Sequence, residues 1–292
     1  MDFGKAVAFP FSGRNMNKIL QIALVFGIIT AMQLILNGNN EYGPGTFFGV
    51  IGGLAFGLFM SGYGVTIIRA INKGEDALPA FQIGKNISDG FRIFLAGLIY
   101  MLPIIILVVI VAMMMTASMS DAFMNDMLYT LETGREPAYS SDYEQAMGGA
   151  VLMLCGTMIV MVPLAIILSF AAQIGIVRYA IEEESRVLFQ FGTNTQLVFS
   201  NFGKVFKLLI LMIVLGLAYG LMGGILGGIV GVVLGAGVSS GIGLIIFAVV
   251  LNIVSQLLGT MQQVTNFHLL AGFAQETGLA PTRKQKEVYA FD

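Results

Sequence analysis

The stretch from Lys207 to Gly237, KLLILMIVLGLAYGLMGGILGGIVGVVLGAG, constrains the fold most: it runs for 31 residues with one charge, at its first position. A helix rises about 1.5 Å per residue and the hydrocarbon core of a bilayer is about 30 Å thick, so roughly 20 apolar residues cross it. This run exceeds that length, so it must tilt strongly or break at its glycines. Those glycines fall in two stripes at four-residue spacing, Gly216, Gly220, Gly224, Gly228 and Gly223, Gly227, Gly231, Gly235. Each stripe removes side chains from one helix face and lets a neighbouring backbone approach, in a solvent where apolar burial no longer drives association. Helix packing is the expected use, with a glycine-lined passage or hinge as the alternative.

Six apolar segments can each cross: about 17–36, 46–70, 92–116, 148–177, 205–236 and 242–272. The basic residues between them are unevenly divided. The N-terminus carries Lys5, Arg14 and Lys18; the second connection Arg69, Lys73, Lys85 and Arg92; the fourth Arg178, Arg186, Lys204 and Lys207; the C-terminus Arg283, Lys284 and Lys286. The alternate connections, 37–45, 117–147 and 237–241, hold only Arg135. By the positive-inside rule the chain is a multi-pass protein of the cytoplasmic (inner) membrane with both termini cytoplasmic. An odd number of spans would scramble the pattern, so the charges independently support six. No small-residue cleavage site follows the first span, which is therefore read as retained and not as a signal peptide.

Composition agrees. Only 11% of the 292 residues are charged and 57% are hydrophobic, against about 25% charged in an ordinary soluble domain; the mean hydropathy is +0.85. A net charge of −2 gives no overall basic bias, and nothing suggests nucleic-acid binding. The one cysteine, Cys155, lies in an apolar run and excludes an internal disulfide.

An internal repeat opens spans one, three and five. Ala8-Phe9-Pro10-Phe11-Ser12-Gly13-Arg14-Asn15, Ala80-Phe81-Gln82-Ile83-Gly84-Lys85-Asn86 and Leu188-Phe189-Gln190-Phe191-Gly192-Thr193-Asn194 each place aromatics before a glycine and a polar residue. Spans two and four end alike, in Ile67-Ile68-Arg69-Ala70-Ile71 and Ile176-Val177-Arg178-Tyr179-Ala180-Ile181, whereas no Arg follows span six. The fold class expected is an all-α, polytopic membrane helical bundle. Its six spans form three tandem hairpins, about 1–75, 76–185 and 186–277, in a single membrane domain with parallel repeats about an axis near the membrane normal. The openings, such as Asn86-Ile87-Ser88-Asp89-Gly90-Phe91-Arg92-Ile93-Phe94, are too short and polar to cross. They read as cytoplasmic interfacial helices lying among the headgroups, their basic residues favouring anionic lipid, or else as ordinary turns.

Two signatures carry a family resemblance. Met1-Asp2-Phe3-Gly4-Lys5-Ala6 leads to Phe9-Pro10-Phe11, and Arg69 is followed by Gly74-Glu75-Asp76-Ala77-Leu78-Pro79-Ala80-Phe81 after the second span. The chain thereby resembles the bacterial and archaeal membrane family known as the domain of unknown function numbered 4013. The resemblance implies a multi-pass membrane protein with no assigned activity. The chain departs from that pattern in having Phe81 where Trp is expected, no Trp anywhere, and a long third connection.

That connection, 117–147, holds Asp121, Asp126, Glu132, Glu136, Asp142 and Glu144 against Arg135 alone. From Met119 to Leu131 it places Phe123, Met124, Met127, Leu128 and Leu131 at helical spacing, so an amphipathic helix is expected there. The reading is a partner-docking surface, Met-rich and adaptable, or a solvated surface helix. No metal is expected, since His is missing from the loop and EF-hand spacing is absent.

Ionisable residues are nearly absent within the spans, which weakens any reading as a pump or ion-coupled transporter. Span six carries a polar stripe, Asn252, Gln256, Gly259, Gln263 and Asn266, on one helix face; its amides either bond to neighbouring helices or line a wet cavity. Pro103 and Pro163 sit inside spans three and four and are expected to kink them. The lone His268 has no nucleophile or metal motif beside it, and the glycines of span five follow no soluble strand, so neither catalysis nor dinucleotide binding is expected. No cofactor is implied. The expected role is a non-enzymatic scaffold or accessory subunit of a membrane assembly, with the lipid bilayer and a protein partner or second copy as its contacts. The alternatives are a channel or carrier for an uncharged or lipid-like solute, and a membrane-shaping protein.

Overall fold

The computed structural model describes residues 1–37, 44–134, 141–235 and 241–280, and every regular element among them is helical. Arg135, Arg283, Lys284 and Lys286 lie outside the described residues, as do the connections 38–43 and 236–240. A six-residue helix α1 (Phe3–Ala8) and a 3-10 turn at Phe9–Phe11 lead into α2 (Gly13–Asn37). Helix α3 (Pro44–Asn72) returns, followed by α4 (Ile83–Thr133) and α5 (Ser141–Glu182). A 3-10 turn at Ser185–Phe189 and a short α6 (Phe191–Ser200) precede α7 (Phe202–Gly235) and α8 (Gly241–Thr277).

Among the described residues, five helices are long and apolar enough to cross a membrane: Gly13–Gln33, Gly45–Asn72, Ile83–Ala117, Met147–Glu182 and Phe202–Ile229. Helix α8 is not among them. Its 37 residues are long enough, and it carries Asn252, Gln256, Gln262, Gln263 and Asn266.

Two of the expected boundaries move. The segment Asn86–Phe94, expected as a separate interfacial piece, belongs to the first turns of α4 and continues into the apolar run without a break. The amphipathic stretch Met119–Leu131 likewise extends the same helix, which reaches 51 residues. No Gly or Pro stands between Pro103 and Thr133 to end it. Pro103 and Pro163 both lie within helices, α4 and α5. In the first and third openings, short helices do precede the long ones: α1 with its 3-10 turn, and α6. Asp2 caps α1 by accepting the backbone N–H of Lys5 at 3.0 Å.

The chain forms two compact units. One comprises residues 1–96 and 173–292, the other residues 97–172, the outer lengths of α4 and α5. In the first unit α2 packs on α3 and α8, while α8 also packs on α3 and α7. Its core is built from Ile19, Ile22 and Ala23 of α2, Tyr63, Ile67 and Ile68 of α3, Leu208 and Leu215 of α7, and Val264, Leu270 and Phe273 of α8. Large apolar side chains of the same helices point outward, among them Leu24, Ile28, Phe47, Leu54, Ile213 and Leu217. An apolar inside with an apolar outside is the pattern of a helix bundle made for a hydrocarbon solvent.

Helices come closest where glycine removes a side chain. A methyl group at Gly62 of α3 would overlap Asn86 O and lie 2.8 Å from Gly90 N; one at Gly90 would overlap Leu58 O and lie 3.1 Å from Leu58 Cα. At Gly27 of α2 it would sit 3.0 Å from Ile253 Cα of α8, and at Gly64 of α3 it would run into the ring of Phe267. The backbones of α3 and α4 therefore touch at Gly62 and Gly90, and neither side can yield without moving main chain. Replacing Gly62 or Gly90 by Ala should cost about 3 kcal/mol or abolish folding, as overpacking does at its severe end. The same change at Gly57, where nothing lies within 4 Å, should be neutral. Thermal unfolding of the detergent-solubilised variants followed by circular dichroism checks this, and equal midpoints for the Gly57 and Gly62 variants would contradict it.

Candidate functional site

The hairpin openings meet at one end of the first unit, here termed the junction end, and their chemistry rests on three asparagines. In Gly13-Arg14-Asn15, Gly84-Lys85-Asn86 and Gly192-Thr193-Asn194 the asparagine stands third, and Asn15, Asn86 and Asn194 are all fully buried. Each lies in the opening turn or two of its helix. Asn15 donates through Nδ2 to Phe9 O at 2.9 Å and accepts the backbone N–H of Leu78 through Oδ1 at 2.7 Å. Asn194 donates to Val187 O at 2.9 Å and accepts from Arg178 Nη1 at 2.9 Å. Asn86 accepts the hydroxyl of Thr66 at 3.2 Å. Irregular backbone leading into a buried helix start carries orphan N–H and C=O groups, and a primary amide supplies both an acceptor and donors to satisfy them.

The preceding helix ends are matched too. The chain turns with left-handed residues at Gly74 (φ +87°), Glu183 (φ +58°) and Gly278 (φ +75°), just after α3, α5 and α8. Glu183 is the one non-glycine residue among the described residues to hold positive φ. After these turns come buried aliphatic residues: Leu78, then Val187 and Leu188, then Ala280. Lys18 of α2 donates to Leu78 O, so the first opening and the segment after α3 hold each other from two sides.

Between α3, α4 and α5 lies an ionic cluster. Arg69 Nη1 donates to Asp89 Oδ2 at 3.1 Å, and Arg69 Nε donates to Ala180 O at 3.2 Å. The Tyr179 hydroxyl donates to Asp89 Oδ1 at 2.6 Å and accepts from Arg92 Nη1 at 3.0 Å. The Arg69 guanidinium carbon sits 5.3 Å from the centroid of the Tyr179 ring. Asp89 and the Arg69 side chain are 6% and 10% exposed, so both charges are out of water and compensated by several bonds. Arg178, the residue corresponding to Arg69 in the next unit, instead spans Glu182 at 2.8 Å, Gln190 at 2.9 Å and Asn194. The sequence reading placed these arginines at helix ends but gave Asp89 and Tyr179 no role. The signal available was the single carboxylate in Ile83–Met101, three residues from both Asn86 and Arg92.

Beside the junctions opens a cleft of about 470 Å³, lined by α1, the α3 turn and the end of α8. Lys5, Lys73, Asp76, His268 and Glu276 contribute its polar wall. His268 packs on Phe9, ring centroids 4.8 Å apart. Gln275 Nε2 of α8 donates to Asn72 Oδ1 of α3 at 3.3 Å across the same wall.

The residues singled out in sequence fall in several places. A groove of about 490 Å³ between α7 and α8 is lined by Gly216, Gly220, Gly223 and Gly227 on one side and Ser255, Gly259 and Gln262 on the other. A methyl at Gly216, Gly223 or Gly227 would meet the tips of Gln262, Leu258 and Leu251 at 3.6, 3.6 and 3.7 Å; at Gly220, Gly224 or Gly228 it would meet nothing within 4 Å. Gly231 and Gly235 belong to the last turns of α7. Of the amide stripe, Asn252, Gln256, Gln263 and Asn266 are half-buried, and Asn266 Oδ1 is buried with no hydrogen-bond partner among the described residues. On α4, Met124, Met127, Leu128 and Leu131 are all more than half exposed; the Phe123 side chain lies outside the described residues. The outer lengths of α4 and α5 enclose a separate groove of about 380 Å³ with an almost wholly apolar lining, including Met115, Met158 and Met161.

No curated protein matches the chain, and no solved structure matches it. A family described as "Protein of unknown function (DUF4013)" matches residues 45–228, from the start of α3 into α7, and so takes in the second and third openings with their buried asparagines and the whole Arg69–Asp89–Tyr179 cluster. That match extends over more than half of the 292 residues, and the chain belongs to the DUF4013 family.

Proposed function

We propose that the protein is a six-span, non-enzymatic integral membrane protein of the inner membrane, with the junction end cytoplasmic, that serves as a scaffold or accessory subunit of a membrane assembly. In this reading α8 is the sixth span, sheltered from lipid by α2, α3 and α7, which is why it tolerates a polar face. The observation that carries the role is the outer length of α4. Its apolar sequence gives way to Ser118, Ser120 and Asp121 after Ala117, yet the helix continues to Thr133, about 24 Å further at 1.5 Å per residue. Met124, Met127, Leu128, Tyr129 and Leu131 are each at least half exposed there, with Leu131 at 71%. Apolar side chains clustered on a helix beyond its membrane run are costly in water and are the usual mark of a surface that another protein covers. Methionine suits such a surface because its unbranched side chain adapts to the partner. The faces at Gly220, Gly224 and Gly228, open within the chain, supply a second place where a partner's span can come close.

The test is extraction of the full chain from its native membrane in a mild detergent, with mass spectrometry of whatever travels at fixed stoichiometry. A stoichiometric protein partner is expected, and Met127→Glu with Leu131→Glu should weaken its retention about tenfold or more. The chain's own thermal midpoint should not move, because both side chains are exposed. A monomer with nothing bound would sink the proposal.

One observation favours a second reading, a carrier for an uncharged or lipid-like solute: the α7–α8 groove combines glycine, serine and one amide, Gln262, with apolar walls. In that case Gln262→Leu in reconstituted vesicles should abolish flux of the solute while leaving the fold intact. Unchanged flux would remove the groove from any transport route.

A further inference from the structure

We propose that the junction-end cleft binds a zwitterionic phosphoamine group, of the phosphoethanolamine kind, carried by a membrane lipid or by a free small molecule. The inference deepens the membrane reading above and rests on its six spans, not on the scaffold role. Three charges on the cleft wall, Lys5 of α1 and Lys73 and Asp76 around the α3 turn, have side chains with no hydrogen bond or ion pair among the described residues. Two arginines at the junction end are matched within the chain, Arg69 with Asp89 and Arg178 with Glu182. The cleft thus keeps two ammonium groups from different elements and one carboxylate free to face a ligand. Asp2 and Glu276 also line it, already engaged by the Lys5 backbone N–H and by Lys207 and the Met1 amino terminus.

The charge balance selects the ligand class. Three carboxylates, Asp2, Asp76 and Glu276, face three ammonium groups, Lys5, Lys73 and the Met1 amino terminus that pairs with Glu276, so the wall is balanced in charge and a group carrying both signs matches it better than a purely anionic one. A group with a phosphate and an amine a few ångströms apart satisfies both signs, the phosphate on Lys5 and Lys73 and the amine on Asp76. Position adds to this. Lys73 immediately follows Asn72, the end of a candidate span, so in a bilayer the cleft opens at headgroup depth. A volume of about 470 Å³ accommodates such a group without displacing core side chains.

The experiment is native mass spectrometry of the full chain in mild detergent, titrated in turn with phosphatidylethanolamine, phosphatidylglycerol and O-phosphoethanolamine. Preferential retention of phosphatidylethanolamine is expected, with Lys73→Ala, Asp76→Ala and Lys5→Ala each weakening it about tenfold, the loss of one charge-assisted contact. All three residues are exposed, and circular dichroism of each variant confirms that it folds. If O-phosphoethanolamine alone binds as tightly as the lipid and is lost in the same variants, the site belongs to a soluble phosphoamine. Equal retention of phosphatidylglycerol, or retention unchanged in all three variants, overturns the proposal. Alkaline carbonate extraction of the membranes separates the two readings: a chain released by carbonate defeats the six spans, while a chain that stays but shows no headgroup preference defeats only the cleft.

Discussion

A polar backbone must change direction inside an apolar bundle, and the junction end of this protein is organised around that constraint. Water is excluded from Asn15, Asn86 and Asn194, so the irregular segments that enter α2, α4 and α6 cannot leave their amides and carbonyls to solvent. At Asn15 and Asn194 asparagine answers this in the smallest space, whereas Asn86 accepts the Thr66 hydroxyl and its buried Nδ2 has no hydrogen-bond partner among the described residues. At Asn15 the side chain ties the carbonyl of Phe9 behind it to the amide of Leu78 on another connection, and Leu78 is itself buried under α2. At Asn194 the same amide ties Val187 behind it to the guanidinium of Arg178. One chemical device thus serves different partners in different units, which is what repeated sequence diverging around a fixed structural need produces.

The ionic cluster is best understood as an extension of that device. Arg69 closes α3, and its guanidinium satisfies both a carbonyl of α5 and the carboxylate of Asp89 on α4. Burying this pair costs desolvation that the pair alone does not recover, but the Tyr179 hydroxyl donates to the carboxylate and itself accepts from Arg92. Such a cluster contributes little net stability against an apolar substitute and a great deal of specificity. A register slip of α4 against α3 would strand Asp89 without its partners, and the contact of Gly62 with Asn86 and Gly90 blocks the same slip sterically. Backbone contact and buried charge therefore enforce one arrangement by independent means.

What the sequence made legible follows the range of the physics involved. Apolar run length and the placement of fourteen of fifteen basic residues are local quantities, and five of the expected spans have helices of matching length and apolarity. The DUF4013 resemblance was likewise carried by contiguous motifs around Arg69 and Phe81. Helix ends were less legible: nothing in Asn86–Phe94 marks it as continuous with the span, because an interfacial helix and a first helical turn share the same amphipathic pattern. Least legible was which small or polar residue matters. Four-residue glycine spacing drew attention to α7, while the glycines that meet backbone, Gly62 and Gly90, stand in no stripe at all and are defined only by the crossing of two helices. Asp89 was equally silent, since its partners Arg69 and Tyr179 lie 20 and 90 residues away.

This difference between stripe and crossing also bears on what the protein is built to do. Glycine inside a helix costs roughly 1 kcal/mol relative to alanine, so the glycines of α7 carry a price that local structure does not return. Gly62 and Gly90 recover it within the chain through close backbone contact, but Gly220, Gly224 and Gly228 have no neighbour within 4 Å to do so. In the scaffold and carrier readings proposed above, that cost is offset by a helix that packs on that face or by a molecule in the groove beside Gln262. The firmly bonded junction end and the open faces of α4 and α7 then divide the molecule into a part that fixes its own geometry and a part whose apolar and glycine faces the chain itself leaves uncovered.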